Sequence, residues 1–163
     1  WDGGGTVKCS LLGADFLPAS AELIQQVQNA VDPPEGAGAG LGLAPIGAKV
    51  TIASPEAVRV NVSAAATLAS GYELGQAQPL AEAAIDAYLL SVRQSWDTRL
   101  GATQVEYAAD VYLARVLAAI VGIPGVVNVS DVRLNGKAED LFLTETGQTQ
   151  QAPVLGQVTL IEA

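Results

Sequence analysis

Histidine is absent from this chain of 163 residues, and its absence removes several kinds of chemistry. Without an imidazole there is no Ser-His or Cys-His nucleophile pair, no histidine metal ligand and no histidine acid or base. Aromatic residues make up only 5% of the sequence, so stacking platforms and aromatic ligand cages are disfavoured as well. We therefore expect a protein that is not an enzyme, with no catalytic, cofactor-binding or metal-binding residues and no small-molecule substrate.

Basic residues are also scarce. Eight Lys and Arg against 17 Asp and Glu give a formal net charge of -9 at pH 7, which repels phosphate backbones and anionic lipid. The most apolar stretch, residues 111–127, contains Arg115 and is interrupted by Gly122 and Pro124. It falls short of the roughly 20 apolar residues that span a bilayer. Neither nucleic acid nor a membrane is therefore expected as a partner.

Cysteine occurs once, at Cys9, so no internal disulfide is possible. Its position alternates with Val7 and Leu11, which predicts that all three side chains point inward from a strand. A lone cysteine in such a place usually behaves as a small hydrophobe. We predict a buried structural thiol.

A repeated pattern is the most informative feature present. Ala44-Pro45 is followed after four residues by Val50-Thr51-Ile52, and Ala152-Pro153 is followed after four residues by Val158-Thr159-Leu160. Proline cannot donate to a sheet ladder and holds the preceding residue extended, so each copy predicts a loop that leads into a short strand. The repeat predicts two similar structural units.

Residues 1–56 predict the smaller unit, with the order βαβ. A polar N-cap pattern around Ser20 starts its helix, and Asp32, standing before two prolines, stops it. The predicted apolar stripe of this helix is Leu23, Ile24, Val27 and Val31. The strands are predicted at residues 6–12 and 49–53, with a loop at 35–43.

Residues 57–163 predict the larger unit, with the order βααβββ. Its long helix is expected to start at Pro79 after a polar loop at residues 73–78, and the next helix at the capping box Thr103 to Glu106. The stripe of the long helix is predicted as Leu80, Ala84, Ile85, Tyr88, Leu89, Val92 and Trp96, and that of the next as Ala109, Tyr112, Leu113, Val116, Leu117 and Ile120. Strands are predicted at 58–63, 126–134, 141–144 and 154–161, with a tight turn at Asn135-Gly136.

The two units together predict an α+β fold in which helices pack on short mixed or antiparallel sheets. An alternative places one continuous sheet through residues 50–62, so that the two units share a core.

Two glycine patterns invite a phosphate-binding interpretation. The run from Gly36 to Gly42 lacks the third fingerprint glycine and precedes a strand, and the Gly42 to Gly47 spacing lacks the Lys-Ser/Thr of a Walker motif. We interpret the segment as a flexible linker.

The acidic pairs and the two glycosylation patterns are also better explained without a function. Glu82 and Asp86 share a helix face, and Glu139-Asp140 follow a turn, but solvated surfaces explain both pairs better than acid/base catalysis does. Asn61 and Asn128 match the glycosylation pattern inside predicted strands, where chance is the better explanation. Trp1 is a possible interface anchor, and Trp96 is expected in the core.

Four segments in order carry a family resemblance. They are residues 1–8, 43–51, 123–126 and 153–156. Their sequence and spacing resemble the baseplate J-like family of contractile phage tails and related prophage particles, over nearly the whole chain. The resemblance implies the central and C-terminal portion of a longer protein that starts before Trp1.

The resemblance further implies a structural subunit of the baseplate wedge. Such a subunit associates with copies of itself in a ring and with other baseplate and tail proteins, without catalysis. It would reside in the virion tail baseplate after assembly in the bacterial cytoplasm.

Two other classes stay open from the residues alone. A secreted or surface adhesion module would bind through loops such as 35–43 or 73–78. A glycosidase would need two facing carboxyl groups in a cleft.

Overall fold

The computed structural model describes residues 2–95 and 110–163. These residues form an α+β fold, as predicted, with three α-helices, one short 3-10 helix and five strands in two small sheets. The strands are β1 (Thr6–Ser10), β2 (Lys49–Ala53), β3 (Glu56–Leu68), β4 (Val126–Leu134) and β5 (Gln151–Glu162). The helices are α1 (Ala21–Val31), α2 (Leu74–Gln94) and α3 (Leu113–Val121), and the 3-10 helix is Pro34–Gly36. The first compact unit comprises residues 1–57 and 144–152, and the second comprises 58–143 and 153–163.

The first unit contains the predicted βαβ arrangement. Strands β1 and β2 are parallel, with Thr6 opposite Lys49 and Ser10 opposite Ala53, and α1 connects them. The Ser20 hydroxyl accepts a hydrogen bond from Leu23 N at 3.2 Å, which satisfies one of the free donors at the helix start. The predicted stripe is the half-buried side of α1: Leu23, Ile24, Val27 and Val31.

The predicted inward alternation along β1 is wrong at its beginning. The side chain of Val7 is 47% exposed, and Cys9 is half-buried rather than enclosed. This sheet has only two strands of five residues, and one helix connects them. So small a unit buries a smaller fraction of its surface, and the face that Val7 and Cys9 share is therefore only partly buried.

The second unit contains a mixed three-stranded sheet in the order β4-β3-β5. Strand β4 is antiparallel to β3. Strand β5 runs parallel to β3, because Gln157 bonds Asn61 and, further along both strands, Ala163 bonds Ala66. Strands β2 and β3 lie in different sheets, so the alternative of one continuous sheet through residues 50–62 is wrong.

The described residues of the second unit contain an aliphatic core. It is built from one face of the sheet and the facing sides of α2 and α3. Its most enclosed members are Val60, Val62, Ala64, Ala81, Ile85, Leu89, Val111, Val116, Ile120 and Leu134. Aliphatic side chains of this size let the helices lie close to the sheet.

Helix α2 starts five residues earlier than predicted. Leu74 is its first residue, and the Gln76 side chain accepts a hydrogen bond from Glu73 N at 3.4 Å. Pro79 is the sixth residue of this helix, beyond its first turn, so the hydrogen bond that a backbone N–H at this position would make to the Gly75 carbonyl is absent. The buried positions are Ala77, Ala81, Ile85, Leu89 and Arg93, so the predicted stripe is rotated. Leu80, predicted to be inside, is 46% exposed, while Trp96 lies outside the described residues.

The predicted long helix from Thr103 is wrong at residues 110–112, which are not helical, although the capping box at 103–106 lies outside the described residues. Val111 forms a bridge with Leu141, and Tyr112, predicted to face the core, is 43% exposed. Helix α3 therefore starts at Leu113, whose N–H donates to the Asp140 carboxylate at 2.8 Å. Ala109 also lies outside the described residues.

The turn after β4 is confirmed, but the strand expected after it is not present. Asn135 and Gly136 have φ values of 49° and 82°, the left-handed conformations that such a turn requires. Residues 141–144 were expected to form a strand, yet only the bridge of Leu141 to Val111 forms there, and Leu143 N donates to the Asp110 carboxylate at 3.0 Å. The backbone N–H groups of residues 143 and 144 therefore bond side chains, those of Asp110 and Gln151, rather than the backbone of a neighbouring strand.

Candidate interaction surface

The glycine-rich segment is part of the first unit rather than a link between units. It follows the 3-10 helix and leads into β2. As the sequence indicated, a strand comes after it, so it lacks the following helix whose N-terminus would bind a phosphate. Gly38 and Gly40 adopt φ values of 81° and 73°, which larger residues rarely accept. Their conformations turn the chain back between the end of α1 and the start of β2.

A buried carboxylate fixes this segment. Asp32, at the C-terminal end of α1, is fully buried, and its two oxygens accept from Gly38 N and Val50 N, each at 2.9 Å. A carboxylate that accepts two backbone donors is well satisfied although it is out of water. From the sequence, the position of Asp32 before two prolines predicted only the end of α1. It did not predict that the Asp32 carboxylate binds the backbone of residues 38 and 50.

Three large apolar side chains project from the same segment. Leu41, Leu43 and Ile46 are 69%, 83% and 84% exposed, and together we call them the apolar loop. Exposed apolar side chains gathered in one loop are typical of surfaces that bind another protein. The sequence indicated residues 35–43 as a binding loop of an adhesion module, but no sequence pattern marks these three side chains.

The backbone beneath the apolar loop is held in place. Leu43 N donates to Ala30 O at 3.1 Å, and Ala44 N donates to Val31 O at 2.8 Å, which ties the loop to the last turn of α1. A Cβ atom at Gly40 would lie 2.6 Å from the Ile46 Cγ1 atom, so a larger residue at position 40 would displace the Ile46 side chain. The loop is therefore pre-shaped, which lowers the entropic cost of binding a partner.

The other loop considered for binding does not exist as a loop. Residues 74–78 belong to α2, and only Glu73 precedes the helix. The adhesion interpretation loses one of its two proposed loops.

The carboxylates noted in the sequence lie on separate parts of the second unit. Glu82 is exposed and accepts from the Gln78 amide at 2.8 Å, while Asp86 lies 4.0 Å from the buried Arg93 guanidinium. Glu139 forms an exposed ion pair with Lys137 at 3.1 Å. Asp140 is not on a solvated face, because it binds the start of α3 as described above.

The two glycosylation patterns have different surroundings. The Asn61 side-chain oxygen accepts from Gln157 N at 2.9 Å, and its nitrogen donates to the Asn135 oxygen at 3.1 Å. Asn61 therefore joins β3 to β5 and to the turn. Asn128 lies on β4 opposite Thr67.

Two groups in the described residues have raised pKa values. Burial raises the pKa of the Glu145 carboxyl from 4.5 to about 7. Burial also raises the pKa of Tyr88, whose hydroxyl accepts from Tyr112 N at 3.0 Å just before α3 begins. Across residues 2–95 and 110–163, no group of three or more His, Cys, Asp or Glu side chains is placed to hold a metal ion.

A family model covers most of the second unit. Residues 60–161 match the family model described as "Baseplate J-like protein C-terminal domain". The chain belongs to the baseplate J-like family. The resemblance stated from the sequence is thereby confirmed, and membership of this family supports a structural role in a phage tail.

Two curated relatives come from Bacillus subtilis (strain 168). The chain is 32% identical over 165 residues to "Uncharacterized protein YqbT", and 29% identical over 162 residues to "Phage-like element PBSX protein XkdT". Each alignment covers 99% of this chain but 41% of the relative. The baseplate J-like chain thus spans about two-fifths of the length of these relatives. In its described residues, no helix combines the length and the apolar character needed to cross a membrane.

Proposed function

We propose that the chain is a structural part of a phage tail baseplate wedge, which associates with copies of itself in a ring and with neighbouring tail proteins. It would belong to the virion tail and be assembled in the bacterial cytoplasm. Family membership supports the tail role, and the apolar loop is the observation that supports assembly through protein contacts. The role needs no catalysis, cofactor or small-molecule substrate.

The chemistry of the apolar loop defines the partner surface. Leu43 and Ile46 expose more than four-fifths of their side chains, so a partner that covers them must offer an apolar surface of its own. The chain carries a net charge of -9, which disfavours nucleic acid or an anionic membrane as that partner. Another subunit of the same particle meets both conditions.

The proposal predicts that charge on the apolar loop blocks assembly. The intact reading frame is expressed with its tail proteins, carrying Leu43→Asp or Ile46→Asp, and incorporation is measured by co-sedimentation with the tail particles. Both side chains already face solvent, so we expect each variant to fold normally and to be depleted from particles at least about tenfold, as for loss of an interface anchor.

Ala39→Asp is the matched control. Ala39 is exposed in the same segment, so this variant adds the same charge without removing a large apolar side chain. It is expected to enter particles like the unmodified protein. Normal incorporation of folded Leu43→Asp and Ile46→Asp would reject the apolar loop as the contact surface, and absence of the unmodified protein from particles would reject the baseplate role itself.

A further inference from the structure

The outer edge of β2 is the edge that does not face β1. Lys49 N bonds Gly5 O at 2.8 Å, and Leu11 N bonds Ala53 O at 2.9 Å, so the backbone groups of residues 49 and 53 point toward β1 and its flanks. Along a strand the direction of these groups alternates. The N–H and C=O groups of Val50 and Ile52 therefore point to the outer edge, where an unprotected strand can pair with another chain.

Side chains of α1 occupy this edge. Ile52 N donates to the Gln28 Oε1 atom at 2.7 Å, and Gln28 Nε2 donates to Val50 O at 2.9 Å. Val50 N donates to Asp32 at 2.9 Å. A glutamine amide carries a donor and an acceptor like those of a peptide group, so Gln28 pairs with β2 as a neighbouring strand would.

The second sheet shows the same arrangement at β5. Gln157 N and Ala163 N bond toward β3, so Val158 and Leu160 direct their backbone groups to the outer edge. Leu160 N donates to the Gln78 Oε1 atom at 3.0 Å, and Gln78 Nε2 donates to Val158 O at 2.7 Å. Further along this strand, the buried Arg93 guanidinium donates to Pro153 O at 2.8 Å.

The two arrangements match atom for atom. In each, one helix glutamine accepts from the N–H of one strand residue and donates to the C=O of the residue two places earlier. The strand segments are Val50-Thr51-Ile52 and Val158-Thr159-Leu160, the two copies of the sequence repeat. The spacing along α2 is consistent with this. Gln78 and Arg93 are about 22 Å apart along the helix, close to the roughly 20 Å along β5 between Pro153, which Arg93 bonds, and Val158 and Leu160, which Gln78 bonds.

We propose that Gln28 and Gln78 close the outer edges of β2 and β5, and so prevent these strands from pairing with a strand of a second copy of this chain. The inference stands on hydrogen-bond geometry and does not depend on the proposed function. It assigns a role to both copies of the repeat, which is to present a strand that a helix amide can complete.

The test replaces each amide by a side chain of similar length. Gln28→Met and Gln78→Met keep helix propensity and volume but remove both hydrogen-bonding atoms. Amide hydrogen exchange is measured by NMR on the 163-residue chain, and association by sedimentation over a hundredfold concentration range. We expect exchange of the Ile52 amide in the first variant, and of the Leu160 amide in the second, to become about fivefold to tenfold faster, the factor for losing one such bond.

We also expect each variant to associate with increasing concentration, with an infrared signature of intermolecular β-sheet. The controls are Gln26→Met and Gln94→Met, exposed positions on the same two helices. They are expected to keep the size and exchange pattern of the unmodified chain.

Unchanged exchange at Ile52 and Leu160, or equal association of the control variants, would overturn the proposal. Faster exchange without any association would also overturn it, because the glutamines would then support the strands without closing them to a second copy. If one variant does not fold, the other, which lies in a different unit, decides the outcome.

Discussion

At the residue scale, polar side chains of this chain act mainly as partners for backbone groups. Asp32 bonds Gly38 N and Val50 N, and Asp140 bonds Leu113 N. The sequence pattern placed Asp140 on a solvated face, because Glu139-Asp140 lie next to a turn. Only the fold brings residue 113 next to residue 140, so no local pattern reveals this bond.

Replacement of Asp32 by Asn tests the first of these roles. An amide offers one acceptor oxygen, and its NH2 group would face a backbone N–H that loses its partner. With one of two charge-assisted bonds lost and the other weakened, we expect Asp32→Asn to lower the free energy of unfolding by about 3 kcal/mol. Urea unfolding followed by circular dichroism measures it.

Asp15→Asn is the control for this substitution. Asp15 is exposed and accepts one bond, from Leu17 N at 3.0 Å, which an asparagine oxygen can keep. We expect a change within about 0.5 kcal/mol. Equal effects of the two variants would show that Asp32 has no special role in holding the segment.

The Glu145 carboxyl makes stability depend on pH. Its pKa is raised by burial from 4.5 to about 7, so the folded chain holds this proton more tightly than the unfolded chain does. This contribution to stability is fully present below about pH 4.5 and is lost as the pH rises through 7. In Glu145→Gln this part of the decline should disappear, as measured by urea unfolding at pH 4.5, 6 and 8.

Glu139→Gln is the comparison for the pH series, because the Glu139 side chain is 64% exposed. It should retain the decline of the unmodified chain between pH 4.5 and 8. A decline of the same size in Glu145→Gln would assign the pH dependence to another group.

At the scale of elements, the sequence predicted α1, β2 and β4 with nearly correct bounds. Each has a strong local signal: a serine N-cap with two prolines beyond the end of α1, and hydrophobic runs bounded by turns for the strands. Helix α2 was harder. Its first five residues, 74–78, include a glycine and two glutamines, and Pro79 has the position preference of a helix start, so the sequence signal pointed five residues too late.

The buried face of α2 differs from the apolar stripe predicted from the sequence, and two substitutions distinguish them. Leu80 belongs to the stripe predicted from the sequence but is 46% exposed, whereas Leu89 belongs to both versions and is fully buried. Leu89→Ala should lower the free energy of unfolding by about 2 to 5 kcal/mol, and Leu80→Ala by less than about 1 kcal/mol.

The pair forms its own control, since both changes are Leu to Ala inside one helix and alter helix propensity equally. Chemical denaturation of the two variants side by side gives the comparison. A loss for Leu80→Ala as large as that for Leu89→Ala would restore the stripe predicted from the sequence.

At the scale of the whole molecule, the α+β class and the family followed from the sequence, while the candidate surface followed only in part. Hydrophobic periodicity and ordered motifs are properties of the chain itself. The exposure of Leu43 and Ile46 depends on where the last turn of α1 holds the backbone, and the role of Gln78 depends on a strand 80 residues away. Such long-range pairings leave no local pattern.

The closed strand edges and the apolar loop together indicate how this chain would bind neighbouring subunits. In the proposed ring of identical subunits the local concentration of copies would be high, and an open strand edge would let copies pair through their backbones in more than one register. The Gln28 and Gln78 amides occupy the outer edges of β2 and β5, whereas Leu41, Leu43 and Ile46 project unpaired from a fixed backbone. Association through the apolar loop, as proposed above, would therefore depend on side-chain complementarity, which specifies one partner geometry, rather than on backbone pairing, which accepts any extended chain.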